Sequence, residues 1–185
     1  MNEKAVLLSI QPKWCGLIAL GKKTIEVRKT RPKIETPFKV YIYCTNDRKN
    51  HFWTGKRYSY ADERSHNAFD KDGNGKVIGE FICDAIISHC EMANADIAEQ
   101  QGRIRREQLF EYANGAELYG WHISELKIYN DQPKALGEFE KPCSHNCSKC
   151  KYYYPGGREE PPSCEWEDFE ISKPPQSWCY VEVIE

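Results

Sequence analysis

Short blocks of apolar residues, separated by Gly, Pro and Asn/Asp signals, set the rhythm of this chain. Lys4–Ile10 (KAVLLSI) is an apolar run of strand length and predicts a buried β-strand. Pro12 suits the first turn of a helix, which WCGLIAL continues as far as Gly21, a natural C-terminal stop. Thr24–Lys29 (TIEVRK) then alternates. Ile25 and Val27 fall on one face, and Thr24, Glu26 and Arg28 on the other, as a strand's two-residue period requires. Phe38–Cys44 (FKVYIYC) predicts another strand, entered from Pro37.

From Thr45 to Asp72 neither a helical nor a strand period holds, and the segment reads as a long polar loop. Its basic residues are interleaved with aromatics, among them Lys49, Trp53, Lys56 and Tyr58, a mixture suited to phosphate contact and base stacking. Asp70–Val77 (DKDGNGKV) resembles the start of a calcium loop. Phe81 occupies the position of the bidentate Glu, however, and Glu80 falls one residue early, so Asp-Gly and Asn-Gly read as turn signals. KVIGEFICDAII predicts a strand. Asp96–Glu99 has the spacing of a capping box and opens a helical stretch, interrupted near Gly102, resumed over Gln108–Tyr112 and ended by Asn114-Gly115. Tyr119–Tyr129 and Trp178–Ile184 predict the closing strands. About six strands and two or three helices, without strict strand–helix alternation, predict an α+β fold.

Composition supports a folded core, with 40% hydrophobic and 29% charged residues. No apolar run approaches the ~20 residues that span a bilayer, and MNEKAVLLSI lacks the pattern of an export signal, so a cytoplasmic protein with no membrane association is expected. The net charge of −2 conceals an uneven distribution. Residues 1–57 carry 13 Lys/Arg against 4 Asp/Glu, whereas residues 58–142 carry 9 against 16. The basic N-terminal third is the segment suited to meeting phosphate.

Nine cysteines without an export signal argue against a complete disulfide framework. Cys15, Cys44, Cys83, Cys90 and Cys179 stand singly in apolar stretches, as small buried hydrophobes do. Cys143, Cys147, Cys150 and Cys164 instead crowd into a Pro-, Gly- and Glu-rich segment that is too poor in aliphatics to form a core. Two tight gaps and a returning fourth thiolate match a closed tetrahedral structural zinc site, which would supply the missing stabilisation. His145 is an alternative ligand with cramped spacing. The expected division is a main domain of residues 1–142 together with 172–185, and a zinc-knuckle-like insertion over 143–171.

The richest chemistry lies in the opening. Lys23 stands at the helix–strand turn, Glu26 and Arg28 project from one face of the next strand, and Trp14 lies near the helix start. Such a carboxylate can accept from a base amino group, the guanidinium can grip phosphate, and the indole can stack. Alternatively, Glu26 and Arg28 form an ordinary structural pair.

LLSIQPKWCGLIALGKKTIEVRK resembles the opening of ASCH domains, a branch of the PUA-like superfamily. VIGEFIC, YGWHISELKIYNDQPKALGEF and PPQSWCYVEV resemble later strands of that family. The resemblance implies a PUA-like β-barrel flanked by helices, and binding of RNA or a modified nucleoside. It implies Gly21, Lys23, Glu26 and Arg28 as motif residues, and Lys13, Trp14, Lys29 and Trp53 complete the expected binding set. One amidohydrolase branch uses a turn Lys, a strand Thr and a distal Glu. Lys23 matches the first, Glu26 replaces the second, and Glu80 is the counterpart of the third, giving Lys23, Glu26 and Glu80 as a candidate catalytic set for a hydrolase. A third reading is a protein-interaction adaptor that captures a partner through the zinc knuckle.

Overall fold

The computed structural model describes residues 4–55, 58–61, 64, 70–142, 153–154, 156–157, 163–164 and 169–184. Cys143, Cys147 and Cys150 lie outside the described residues, as does the side chain of Cys164. Among the described residues, no helix is long and apolar enough to cross a membrane.

The opening forms β1 (Lys4–Ile10), α1 (Pro12–Ala19) and β2 (Ile25–Arg28), and β3 (Phe38–Cys44) follows. Residues 5–10 of β1 and nearly all of β3 are buried, because both lie inside a sheet covered on its two faces. β1 pairs parallel with β3, and β13 (Trp178–Glu182) returns from the far end of the chain to lie antiparallel on the other edge of β1. With β7 (Lys76–Cys83) and β10 (Ser124–Ile128), these strands make a five-stranded sheet in the order β10-β7-β3-β1-β13. A second sheet has the order β2-β9-β8, with β8 at Ile86–Ile87 and β9 at Tyr119–His122.

The architecture is thus α+β, with separate sheets in place of the expected closed barrel. The reason lies at Ile123. Its N–H donates to the Thr24 carbonyl at 2.9 Å and so continues the β2–β9 pairing, whereas Ser124–Ile128 beyond it pair with β7, and the stretch 119–129 is thus divided into β9 and β10, which serve different sheets. The strand expected over 76–87 is cut likewise, after Cys83, into β7 and β8.

The segment expected to be a long loop also contains structure. β4 (His51–Thr54) pairs with β5 (Ser59–Ala61) and with β6 (Lys71–Asp72), and this third sheet packs on α1. Strands of two to four residues show too few periods to be read from sequence. They are held instead by Asn74, whose amide donates to the Asp47 and Asn50 carbonyls at 3.3 and 2.9 Å and accepts from Phe52 N–H at 3.1 Å.

Three cores result. The largest lies between the five-stranded sheet, α1 and β4, and includes Leu8, Ile18, Ile42, Phe52 and Phe81. Trp121 closes it, edge-on to Phe38 with ring centroids 5.9 Å apart. The opposite face of the sheet buries Leu7, Tyr41 and Val77 beneath Phe139 and Ile171. The third core joins Ile25 and Val27 to α2 (Ala95–Gly102) and α3 (Arg106–Ala113). The capping box expected at Asp96–Glu99 does not form. Asn94 is the N-cap, and the two acids bind Arg106 instead, Asp96 through its guanidinium and Glu99 through its backbone N–H. Left-handed Arg103 and Asn114 end the two helices near the predicted positions.

The chain flanking the cysteine-rich segment comes together at its base. Phe139–Lys141 and Phe169–Ile171 exchange backbone hydrogen bonds, including Ile171 N–H to Phe139 O at 3.0 Å. Within the segment, β11 (Tyr153–Tyr154) and β12 (Ser163–Cys164) form a two-stranded antiparallel ladder.

Candidate functional site

The turn after α1 begins the site. Gly21 is left-handed at φ 66°, a conformation that disfavours any side chain, although a Cβ there would meet nothing within 4 Å. The Lys22 and Lys23 N–H groups both donate to Leu17 O, which turns Lys23 inward. Its side chain is 1% exposed, and its ammonium donates to the carbonyl of Gly102 at 2.6 Å. Gly102 is the last residue of α2, where the helix dipole favours a cation.

β2 carries the alternation expected of it. Ile25 and Val27 enter the core beneath α2 and α3, whereas Glu26 and Arg28 face the other way, opposite Trp121 and Tyr119 of β9. Glu26 lies between two cations, with Oε2 3.2 Å from Lys23 Nζ and Oε1 3.1 Å from Arg28 Nη2. Arg28 also donates to the Ser9 carbonyl at the end of β1. Burial pulls the Lys23 pKa below its ordinary value, against the support of the Glu26 charge.

These groups open into a cavity of about 400 Å³. Gln11 and Trp14 of the α1 start, Ser9, Thr45 and Gln176 line one side. Ile104, Gln108 and Tyr112 line the other. Lys23, Arg28 and Glu26 are the charged residues of the lining, so the formal charge there is +1. The Arg28 Nε–H is buried and has no hydrogen-bond partner among the described residues. Trp14 is half-buried, with Lys23 Nζ 5.0 Å and Lys13 Nζ 4.8 Å from its ring centre.

Trp14, Lys23, Glu26 and Arg28 therefore come together as the sequence suggested. Lys13 lies at the rim over Trp14, and Lys29 is exposed with its ammonium over Tyr112 at 5.1 Å. Two expected residues are elsewhere. Trp53 stacks on His51 in β4, with ring centroids 5.4 Å apart, and does not line the cavity. Glu80 projects on the Tyr41 face of the main sheet, where it accepts from the Tyr129 hydroxyl at 2.6 Å and lies 3.8 Å from Lys39. It therefore does not join Lys23 and Glu26, because its place in β7 turns it toward the other face of the sheet. Among the described residues, no group of three or more His, Cys, Asp or Glu side chains is arranged to hold a metal.

Sequence reasoning missed the α3 wall. Gln108 and Tyr112 stand four residues apart on one face of α3, and Ile104 lies just before that helix. That was the available signal, although nothing local ties the face to β2.

An α+β core with a pocket between the first helix, the following strand and a distal helix defines the class of the fold. The solved structure of ASCH from Zymomonas mobilis is similar to this chain, with a TM-score of 0.50 at 16% identity over 96% of this chain and 87% of that one. Two single-substitution variants of that protein are similar too, with TM-scores of 0.49 and 0.47 at 16% and 17% identity, covering 97% and 98% of this chain and 91% and 90% of theirs. The fold is thus of the ASCH type. No family model matches the chain, and no curated protein matches it.

Proposed function

We propose that this protein binds RNA or a modified nucleoside, taking one heterocycle into the cavity beside Trp14. The observation that carries this reading is Arg28, which lines a cavity of charge +1 and whose buried Nε–H has no acceptor among the described residues. An unsatisfied buried donor costs ~1–3 kcal/mol, and a ligand carbonyl or phosphate oxygen would remove that cost. The volume, about 400 Å³, suits one nucleotide-sized ligand. Stacking of a base on Trp14 is worth ~1–3 kcal/mol, against ~0.5–1 kcal/mol for an exposed cation–aromatic contact such as that of Lys13. Displacement of Lys13 by a base is therefore favourable. The ASCH fold agrees with this reading through the family resemblance set out above.

Hydrolysis is the second reading, supported by the lowered Lys23 pKa, which eases proton transfer. It ranks lower because both Glu26 oxygens already face cations. A structural zinc on Cys143, Cys147, Cys150 and Cys164 also belongs to the proposal. Its support is the ladder that sets Cys164 opposite Tyr153, three residues beyond Cys150. Together with the joined segments at 139–141 and 169–171, it supports an insertion over 143–171 in a domain made of the rest. The remaining candidate role is that of this knuckle as a contact for a protein partner.

The test is titration of a nucleoside and short-RNA panel at low salt, with product analysis of the same mixtures. Binding weakened about tenfold or more by Trp14→Ala and by Arg28→Ala is expected. The reading fails if nothing in the panel binds, or if both variants bind as the unaltered protein does.

A further inference from the structure

We infer that a second cavity docks an extended peptide of a partner protein, one that presents an aliphatic side chain between acidic ones. The peptide joins the outer edge of β8 as a fourth strand of the β2–β9–β8 sheet. The cavity, about 600 Å³, is lined by the residues from Arg31 to Thr36 and by Ile86 of β8. It shares no lining residue with the pocket beside Trp14.

The backbone of β8 favours a peptide. Among the described residues, β8 ends the order β2-β9-β8, so no strand lies on its outer side. His122 N–H donates to Ala85 O at 2.9 Å, and the register sets Ile86 opposite Trp121 and Ile87 opposite Gly120. In an antiparallel ladder, directly hydrogen-bonded pairs alternate with non-bonded ones. Ala85 and Ile87 therefore bond toward β9, and Ile86 turns its N–H and C=O outward, beside the cavity it lines. An added strand pairs with such a donor and acceptor on one residue. Single-stranded nucleic acid binds instead through aromatic platforms, and this lining has no aromatic ring.

The side chains set the peptide's character. Pro32 is buried and Ile34 and Ile86 are half-buried, which offers apolar surface to one aliphatic side chain. Arg31 and Lys33 are exposed, and neither forms an ion pair with a described residue. Glu35 is the only acid of the lining, so its formal charge is +1 and complements acidic side chains. Two acids of the neighbouring chain are already engaged. Asp84 pairs with His122 at 2.6 Å, and Glu117, which accepts from the Tyr119 hydroxyl at 2.7 Å, lies 3.6 Å from His89. Arg31 itself lies over the Tyr119 ring at 5.7 Å. The chain that carries both cations is held by β13, since the Trp178 indole donates to Thr30 Oγ1 at 2.9 Å and Lys33 N–H to the Tyr180 hydroxyl at 2.7 Å. Little order is therefore lost on binding. An extended peptide sets residues two apart on one face at roughly 7 Å, so acids two positions before and after the aliphatic residue share its face.

The experiment titrates the full chain with the capped peptide Glu-Thr-Val-Thr-Glu and reads affinity from amide NMR shifts. Saturable binding is expected, with the shifts centred on residues 31–36 and 84–88. Arg31→Ala and Lys33→Ala should each weaken it severalfold, and Glu35→Gln should strengthen it. All three residues are exposed, so an unchanged melting temperature checks the fold. Methylating the backbone nitrogen of the peptide's valine removes the donor to Ile86 O and leaves the protein untouched. That change should weaken binding about tenfold or more. The inference is overturned if the peptide does not saturate, or if the methylated peptide or Lys-Thr-Val-Thr-Lys binds as tightly as the parent. Single-stranded RNA displacing the peptide from the same residues would overturn it too. So would shifts at 84–88 that grow with protein concentration alone, since a second copy of the chain would then be the occupant. None of these results bears on the pocket beside Trp14.

Discussion

Replacing Glu26 by glutamine removes the carboxylate between Lys23 and Arg28 while keeping its shape. The Lys23 and Glu26 side chains are 1% and 6% exposed, so water screens the pair little. Removing one member of a buried ion pair costs ~3–5 kcal/mol because the other charge is left uncompensated. The lower end applies here, since Lys23 keeps its hydrogen bond to Gly102 O and the glutamine oxygen can still accept. A loss of ~3 kcal/mol corresponds to ~6–12 °C in melting temperature for a chain of this length.

The loss should also depend on pH. Burial already sets the folded Lys23 pKa below the 10.5 of the free side chain. Between the folded value and 10.5 the unfolded chain binds more protons, so stability rises with pH across that window. Glu26 supports the ammonium, and without it the folded value drops further, so in the variant the rise begins at lower pH. The deficit of Glu26→Gln is therefore largest near pH 7 and narrows toward pH 10. Urea unfolding at pH 7 and pH 9.5, with slopes compared, measures it. Adding Lys23→Met should recover part of the loss by deleting the stranded charge. A deficit under 1 kcal/mol that does not change with pH would refute the reasoning.

Further outcomes follow from the packing. Asn74→Ala removes the amide that binds the Asp47 and Asn50 carbonyls and the Phe52 N–H, and should cost ~2–3 kcal/mol at ~1 kcal/mol per hydrogen bond. Urea unfolding would reveal that loss. Gly79→Ala places a Cβ 2.4 Å from the Lys127 carbonyl, a backbone atom that cannot turn aside, and should destabilise by ~3 kcal/mol in the same assay. Cys15, Cys44, Cys83 and Cys90 are buried, and burial pushes the Cys83 and Cys90 thiols up to about 12 and about 11. In the native protein at pH 8 these four should resist a thiol reagent. If zinc occupies the other cluster, a chelator should release about one equivalent of metal and expose Cys143, Cys147, Cys150 and Cys164 to the reagent. Thiol counting with metal analysis measures both.

Much of the opening was legible because its signals are local. Pro12 at the start of α1, the left-handed Gly21 turn and the opposed faces of β2 each depend on neighbours a few residues away. The same holds for the ends of α2 and α3 at Arg103 and Asn114. Trp53 and Glu80 were misplaced for the opposite reason. A short strand's composition shows that a residue alternates, without showing which sheet the strand joins or which face meets the site. β4 belongs to a separate small sheet, and β7 turns Glu80 toward Tyr129. The barrel expectation failed at Ile123, which still bonds toward β2 through Thr24, while the residues after it in the same strand-like stretch pair with β7 in another sheet.

The amino-acid order alone determined that Lys23, Glu26 and Arg28 follow a helix and turn in the pattern of a charged strand face, with Trp14 one helix earlier. Only the tertiary structure decided that Glu26 has a cation at each oxygen and that the Arg28 Nε–H has no partner among the described residues. It alone placed α3 as the second wall of the cavity. Periodicity reports on chain neighbours within a few residues. The cavity is made of segments as distant as Ser9 and Gln176, and only packing brings those together.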